Sequence, residues 1–216
     1  RIITFINSLD TKNSEILEDI EREALADNVP IIRREMQSFL KVLLMVKKPM
    51  RVLEVGTAVG FSALLMSEYV PEECAITTIE NYEKRIPIAR QNFVRAGKEK
   101  KITLLEGDAM DVLKTLEGPY DFIFMDAAKG QYIHYLPEIL RLLAKGGILV
   151  SDNVMQDGDV IESRFAVERR DRTIHARMRE YLYELKHNDA LVTSIIPLGD
   201  GVALSVKKEV GTDIAQ

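Results

Sequence analysis

The 216-residue chain predicts an α/β fold: a Rossmann-like, seven-stranded, doubly wound sheet with N-terminal helices and a C-terminal antiparallel hairpin. Three observations carry this reading. From residue 51 onward, short apolar runs alternate with segments of helical spacing, the pattern of strands joined by crossover helices. The runs are almost continuously apolar rather than alternating, as expected for parallel strands covered on both faces. The last two runs are separated only by P-L-G-D-G, too short for a crossover helix, so they should pair antiparallel.

Before residue 50 the pattern is helical. Ile16, Leu17, Ile20 and Leu25, then Met36, Phe39, Leu40, Leu43 and Leu44, recur at helical spacing, so residues 1–50 are expected to form a helical cap or dimer surface. The strands of the main domain, residues 51–208, are expected in R-V-L-E-V (51–55), C-A-I-T-T-I-E (74–80), K-I-T-L-L (101–105), Y-D-F-I-F-M (120–125), G-I-L-V-S (147–151), L-V-T-S-I-I (191–196) and V-A-L-S-V (202–206). Helical spacing between them is clearest at Leu136, Ile139, Leu140 and Leu143. The polar tail at 209–216 should fray.

Composition narrows the function classes. Hydrophobic content of 46% with 29% charged residues suits a soluble globular protein. No apolar run approaches the roughly 20 residues that span a bilayer. The first residues lack the basic and apolar segments of a secretion signal, so the chain reads as cytoplasmic. It starts at Arg1 rather than Met, so a trimmed start is expected. The single Cys74 excludes a disulfide framework and a thiolate metal site. The net charge of -5 gives no global reason for a nucleic-acid partner.

The loop after the first strand reads E-V-G-T-A-V-G, Glu54 to Gly60. In an open parallel sheet, ligands bind beyond the carboxyl ends of the strands. A dinucleotide fingerprint requires G-x-G-x-x-G, whereas here Ala58 stands between Gly56 and Gly60, and Glu54 precedes them. A carboxylate beside the loop disfavours phosphate and suits a cationic ligand. Glu80, ending the second strand, can accept hydrogen bonds from ribose hydroxyls. Gly107, Asp108 and Ala109, after the third strand, offer a carboxylate and backbone amides for an adenine. Ribose, adenine and a positive centre without phosphate point to S-adenosylmethionine. Taken singly, each residue could equally be a solvated loop acid or a plain turn.

Asp126 ends the fourth strand, and Asp152-Asn153 follow the fifth. With strands 1, 4 and 5 as neighbours, two carboxylates and an amide would form a hard oxygen set suited to Mg²⁺, Mn²⁺ or Ca²⁺ rather than zinc. The alternatives are an Asx turn at Asp152-Asn153 and a solvated ion pair between Asp126 and Lys129.

The residues V-L-E-V-G-T-A-V-G-F-S, F-M-D-A-A-K-G-Q-Y, S-D-N-V and P-L-G-D-G resemble the divalent-metal-dependent O-methyltransferases, the catechol and caffeoyl-CoA methyltransferase family. The resemblance spans about residues 29–208 and is specific as an ensemble. It implies that Glu54 lies by the methionine part of S-adenosylmethionine and that Glu80 holds the ribose. It implies that Gly107, Asp108 and Ala109 form the adenine loop, with Met36, Gly56, Thr57, Ser62 and Asp126 as further cofactor contacts. Asp126, Asp152 and Asn153 match the metal ligands, with Mg²⁺ expected, and Lys129 matches the lysine assigned as general base. Within the family the chain is most similar to bacterial tRNA 5-hydroxyuridine methyltransferases, on the D-A-A-K-G-Q-Y block, the D-N-V step and the basic segment before a Tyr-containing helix. Catechol enzymes carry bulkier residues where Ala127 and Ala128 stand here.

The chemistry implied is methylation of a hydroxyl beside a second oxygen. Catechols present that pair, and so does 5-hydroxyuridine. Lys129, in a partly desolvated site beside a cation, is a candidate proton acceptor, or an electrostatic clamp on Asp126. Arg164, Arg169, Arg170, Arg172, Arg177 and Arg179 follow the metal motif, where they could hold RNA phosphates or form a solvated helix face. Lys47, Lys48 and Arg51, and Lys98, Lys100 and Lys101, form smaller basic clusters. Tyr132 and Tyr135 could stack on a base, pack in the core or make dimer contacts. The expected reaction is therefore methylation of 5-hydroxyuridine at the tRNA wobble position, by a homodimer. The alternatives are a small catechol-like or hydroxycinnamoyl acceptor, or a noncatalytic RNA-binding protein that keeps the cofactor fold.

Overall fold

The structure, a computed structural model, describes residues 2–163 and 165–209. Arg164 and positions 210–216 of the expected frayed tail lie outside the described residues. The seven expected strands are present, in the order β3-β2-β1-β4-β5-β7-β6. The chain forms two compact units, residues 1–112 and 113–216.

The first unit begins with three helices, α1 (Ile2–Ser8), α2 (Glu15–Ala26) and α3 (Arg34–Lys47). It continues with β1 (Arg51–Val55), α4 (Phe61–Tyr69), β2 (Ala75–Glu80), α5 (Ile86–Arg95) and β3 (Ile102–Glu106). Strands β1, β2 and β3 pair in parallel, with Glu54 level with Thr78 and Ile79 level with Leu105. Helix α4 is buried from Phe61 to Ser67, which explains why its sequence shows no polar stripe. Helices α2 and α3 bury Leu17, Ile20, Met36, Leu40 and Leu44, as their spacing predicts. Leu25 departs from that expectation, being 59% exposed, because Leu17, Ile20, Glu21 and Ala24 make the inward face of α2. Between these helices Arg34 pairs with Glu18 at 3.0 Å and Glu21 at 2.6 Å.

The second unit holds β4 (Tyr120–Met125), a 3₁₀ turn at Lys129–Gln131, α7 (Tyr132–Leu142), β5 (Leu143–Ser151), a 3₁₀ segment at Gln156–Ile161, α8 (Arg172–His187), β6 (Leu191–Ile196) and β7 (Val202–Lys207). Helix α6 (Ala109–Thr115) leads into it. Strands β4 and β5 pair in parallel, whereas β5 with β7 and β6 with β7 pair antiparallel, so the expected C-terminal hairpin is present. One boundary is corrected: Leu143 opens β5 instead of extending α7, and the strand starts four residues earlier than expected. Lys207 accounts for the sharp change of direction. Its ammonium donates to the carbonyls of Leu140 at 2.7 Å and Leu143 at 2.8 Å, satisfying acceptors that the helix end leaves open.

Among the described residues, no helix is long and apolar enough to cross a membrane. Cys74 is buried one residue ahead of β2, outside any disulfide.

The glycine that starts α4 has a steric reason to be there. Gly60 sits at φ +85°, and a Cβ added to it would lie 2.5 Å from the Phe93 ring. Gly60→Ala is expected to lower unfolding free energy by about 2 kcal/mol, from positive-φ strain and overpacking together. Urea denaturation checks this, and an unchanged midpoint would show that the ring moves aside freely.

Candidate functional site

Apart from Asp126, the expected cofactor residues lie in the first unit. The loop after β1 leaves the strand at Gly56, with φ +106°. The amides of Gly56 and Thr57 both donate to the Ile79 carbonyl at 3.1 Å, which fastens the loop to the end of β2. Ala58 takes a left-handed conformation at φ +48°, and its amide donates to Glu80 Oε2 at 2.8 Å. The other oxygen of Glu80 accepts the amides of Asn81 at 3.0 Å and Tyr82 at 2.9 Å. Glu80 therefore does a structural task that its sequence position did not reveal: it ties two loop ends together. A carboxylate has about four lone-pair sites, so capacity for further donors remains.

Glu54 is fully buried inside β1. Ser62 Oγ donates to its Oε1, and Thr78 Oγ1 donates to its Oε2 at 2.5 Å. Thr78 Oγ1 also lies 2.6 Å from Thr57 Oγ1. Because Thr78 gives its only proton to the carboxylate, Thr57 must be the donor to Thr78. Glu54, Thr57 and Ser62, predicted separately, thus form one buried hydroxyl-carboxylate chain, and Thr78 is the member the sequence reading missed. The parallel register of the structure sets Thr78 beside Glu54, a pairing that no local sequence feature marks.

Gly107 donates from its amide to the Glu80 carbonyl at 2.9 Å and holds φ +146°. Asp108 caps α6, its Oδ1 accepting the Met110 amide at 2.9 Å and its carbonyl accepting the Asp111 and Val112 amides. Ala109 opens that helix. Met36 is buried in α3.

The expected catalytic and metal residues lie in the second unit, gathered around Tyr132. Lys129 Nζ donates to Asp126 Oδ1 at 2.8 Å and to Tyr132 Oη at 3.1 Å. The Tyr132 hydroxyl is within reach of the carbonyls of Met125 at 3.0 Å and Asp152 at 3.2 Å, and it accepts the Ala127 amide at 3.3 Å. Tyr132 is 0% exposed and Tyr135 5%, so neither can stack on an incoming base. Both are core residues, and Tyr132 meets Tyr181 edge-on with ring centroids 5.4 Å apart.

Asp152 is 5% exposed. Burial, then the negative charge of Asp126, push its carboxyl up to about 6, and Asp200 adds to the rise. The Asn153 amide, donating to Asp152 Oδ1 at 2.8 Å, and the Lys129 ammonium oppose it. Asn153 sits at φ +55°, a conformation that asparagine tolerates better than most residues. Asp200, in the P-L-G-D-G hairpin, was not predicted. Its Oδ1 accepts the Asp157 amide at 2.5 Å, and its carbonyl accepts the Met155 amide at 2.9 Å, so the hairpin holds the segment that follows Asn153.

Among the described residues, no group of three or more His, Cys, Asp or Glu side chains could hold a metal ion. The expected ligands are instead two acids and an amide. Their chemistry fits a hard divalent ion, because a buried carboxylate repelled by two others gains most from a cation.

Three arginines of the basic segment are tied to local carbonyls. Arg172 Nε donates to the Val167 carbonyl at 3.2 Å, Arg177 Nη1 to Gly130 at 3.2 Å and Arg179 Nη1 to Val160 at 2.8 Å. Arg170 is flanked by Glu168 at 3.0 Å and Asp171 at 3.4 Å. Arg169 is exposed, and Arg164 lies outside the described residues. Lys101 likewise holds the Pro71 and Glu72 carbonyls. The expected basic rim is thus mostly a set of local ties, because arginine forks satisfy loop carbonyls as readily as phosphates.

A family model described as O-methyltransferase matches residues 7–208. The chain belongs to the O-methyltransferase family. Catechol O-methyltransferase of Niastella koreensis is 35% identical over 128 residues, covering 57% of this chain and 58% of that enzyme. Caffeoyl-CoA O-methyltransferase 2 of Populus trichocarpa is 33% identical over 77% of this chain and 70% of its own length. The SAH-bound methyltransferase PaMTH1 of Podospora anserina superposes with a TM-score of 0.86 at 27% identity, covering 96% and 94% of the two chains. The expectations of an enzyme, of a Rossmann-like fold and of the methyltransferase family are met.

A titration tests the carboxylate cluster. Asp152 binds its proton more tightly folded than unfolded, so without a divalent ion its contribution to stability falls as pH rises from about 4 to about 6. In chelator, Asp152→Asn should exceed the wild type in stability by up to about 3 kcal/mol at pH 7, with the gap closing near pH 4. Mg²⁺ should reverse the order at pH 7 by stabilising only the wild type. Denaturant midpoints that run parallel across this range would show that Asp152 is not held in a repulsive cluster.

Proposed function

We propose that the protein transfers the methyl group of S-adenosylmethionine to the 5-hydroxyl of 5-hydroxyuridine at the tRNA wobble position. The observation that carries the acceptor is the turn Asp126-Ala127-Ala128-Lys129. The Asp126 and Lys129 side chains are both partly exposed and 2.8 Å apart, and the two residues between them are alanines, with Ala128 exposed. Bulky residues there would form a wall suited to a small ring, whereas alanines leave room for a base carried on a polynucleotide. The sequence similarity to tRNA methyltransferases supports the same acceptor, as does the exposure of Arg169 and Arg170.

The first unit supplies cofactor binding. Glu54 and Glu80 provide carboxylates for the sulfonium end and the ribose, Gly107, Asp108 and Ala109 the adenine loop, and Met36, Gly56, Thr57 and Ser62 further contacts. Asp126, Asp152 and Asn153 would hold a divalent ion, Mg²⁺ by donor chemistry, which would supply Lewis-acid polarisation of the acceptor. Lys129 accepts the hydroxyl proton. While it donates to Asp126 Oδ1 it is an ammonium clamp; to act as the base it first passes one ammonium proton to solvent, and the neutral amine then takes the hydroxyl proton. The hydroxyl oxygen then attacks the sulfonium methyl in line, and positioning provides much of the rate.

A second reading keeps the chemistry and changes the acceptor to a catechol-like or hydroxycinnamoyl compound. It is favoured by the relatives named as catechol and caffeoyl-CoA enzymes. We also assign the N-terminal helices to a homodimer surface, supported by the exposure of Ile2, Phe5 and Leu9 and of Val42 and Val46.

Tritium transfer from labelled S-adenosylmethionine, with 5-hydroxyuridine-containing tRNA and catechol as competing acceptors, separates the readings. The proposal expects label in tRNA as 5-methoxyuridine, and Arg169→Ala with Arg170→Ala should flatten the salt dependence of tRNA binding by a log-log slope of about 1 to 2. Label in catechol alone would transfer the enzyme to the small-phenol class. Lys129→Met should cut turnover on the order of a hundredfold or more, and wild-type turnover would remove Lys129 from the proton transfer.

A further inference from the structure

The side chain assigned to proton transfer stands on a weak element. Lys129 is the first residue of a three-residue 3₁₀ turn, Lys129–Gln131, in which no residue is buried and no side chain caps the start. Such turns are short and have poor hydrogen-bond geometry, so a neighbour must hold them. Within the described contacts that neighbour is α8. Arg177 Nη1 donates to the carbonyl of Gly130 at 3.2 Å, across 47 residues of sequence. Ile174, one turn earlier on the same face of α8, closes against Gly130 closely enough that a Cβ there would lie 3.4 Å from its Cγ1.

The peptide after Lys129 is thus gripped from one side by a guanidinium and an isoleucine. Lys129 itself reaches the other way, to Asp126 and Tyr132. A point charge on a flexible four-carbon stem has many rotamers, and its ammonium keeps its hydrogen bonds of 2.8 and 3.1 Å only while its own backbone is fixed. The neighbouring basic residues of α8 show the same habit: Arg179 holds the Val160 carbonyl, and His175 Nε2 lies 3.1 Å from the Glu162 carbonyl.

We propose that Arg177 is a positioning residue for Lys129, acting through the Gly130 carbonyl and not by touching substrate or cofactor. This rests on the reading of Lys129 as the group that handles the acceptor proton. It also accounts for an arginine in the basic segment that would otherwise be counted as a phosphate ligand: Arg177 is half-buried and committed to a carbonyl.

The test is a cycle of Arg177→Gln, Arg177→Lys, Lys129→Met and the double variant Arg177→Gln with Lys129→Met. It is run in the full chain with saturating S-adenosylmethionine and Mg²⁺, on both 5-hydroxyuridine-containing tRNA and catechol. Arg177→Gln should lower kcat by a factor on the order of ten to a hundred, leave KM for S-adenosylmethionine unchanged and shift the backbone amide resonances of residues 129–131. Arg177→Lys, which keeps one charged donor, should recover most of the rate. In the Lys129→Met background Arg177→Gln should cost nothing further, because there is no ammonium left to place. An equal loss in both backgrounds would make Arg177 merely structural, and wild-type kcat in Arg177→Gln would overturn the proposal outright while leaving the role of Lys129 standing. Wild-type kcat in Lys129→Met would instead remove the reading on which the proposal rests.

Discussion

One phenol oxygen organises the second unit. The Tyr132 hydroxyl reaches the carbonyl of Met125, the last residue of β4, and that of Asp152, the first residue after β5. It also accepts from the Lys129 ammonium and the Ala127 amide. Two strand ends, the lysine and the turn between them therefore share one buried atom. The Met125 carbonyl also accepts the Asp152 amide at 3.0 Å, so the same two strand ends are tied twice. Burial, and the charges of Asp126 and Asp152, raise the Tyr132 phenol well above the usual tyrosine range. It keeps its proton and remains both donor and acceptor. Asp126, Lys129 and Asp152 inherit their spacing from that constraint.

The first unit reaches a comparable result by other means. Glu54 is buried within β1 and held by Ser62 and Thr78, with Thr57 donating into the chain. Glu80 gathers the amides of Ala58, Asn81 and Tyr82. Both acids are thereby held in place by the protein's own donors. The geometry also explains why the loop is not a dinucleotide fingerprint: Ala58 spends its amide on Glu80 and not on a pyrophosphate.

Much of this was legible in the sequence. Continuous apolar runs separated by helical spacing gave all seven strands, and P-L-G-D-G gave the antiparallel hairpin. The acids at strand ends were also legible, because a charged residue closing a buried strand needs a reason. What stayed hidden depends on partners far apart in the chain. Nothing local marks Thr78 as the companion of Glu54, Asp200 as a charge beside Asp152, or Lys207 as the cap that turns α7 into β5. The arginines after Asp152-Asn153 misled for the same reason. Their positive charge is visible in the sequence, whereas the carbonyls of Val160, Val167 and Gly130 that Arg179, Arg172 and Arg177 satisfy are not. Tyr132 shows the same limit, since only its burial separates a stacking platform from a core anchor.

The most direct measurement of this account is Tyr132→Phe, which removes one oxygen and leaves the ring in place. Turnover and S-adenosylmethionine affinity, the latter by calorimetry, are read on the same protein. If the hydroxyl sets the positions of Asp126, Lys129 and Asp152, kcat falls by about tenfold or more while the cofactor Kd stays within about twofold, a change of only about 0.4 kcal/mol. Wild-type turnover in Tyr132→Phe, or a fall in rate matched by an equal loss of cofactor affinity, would contradict it.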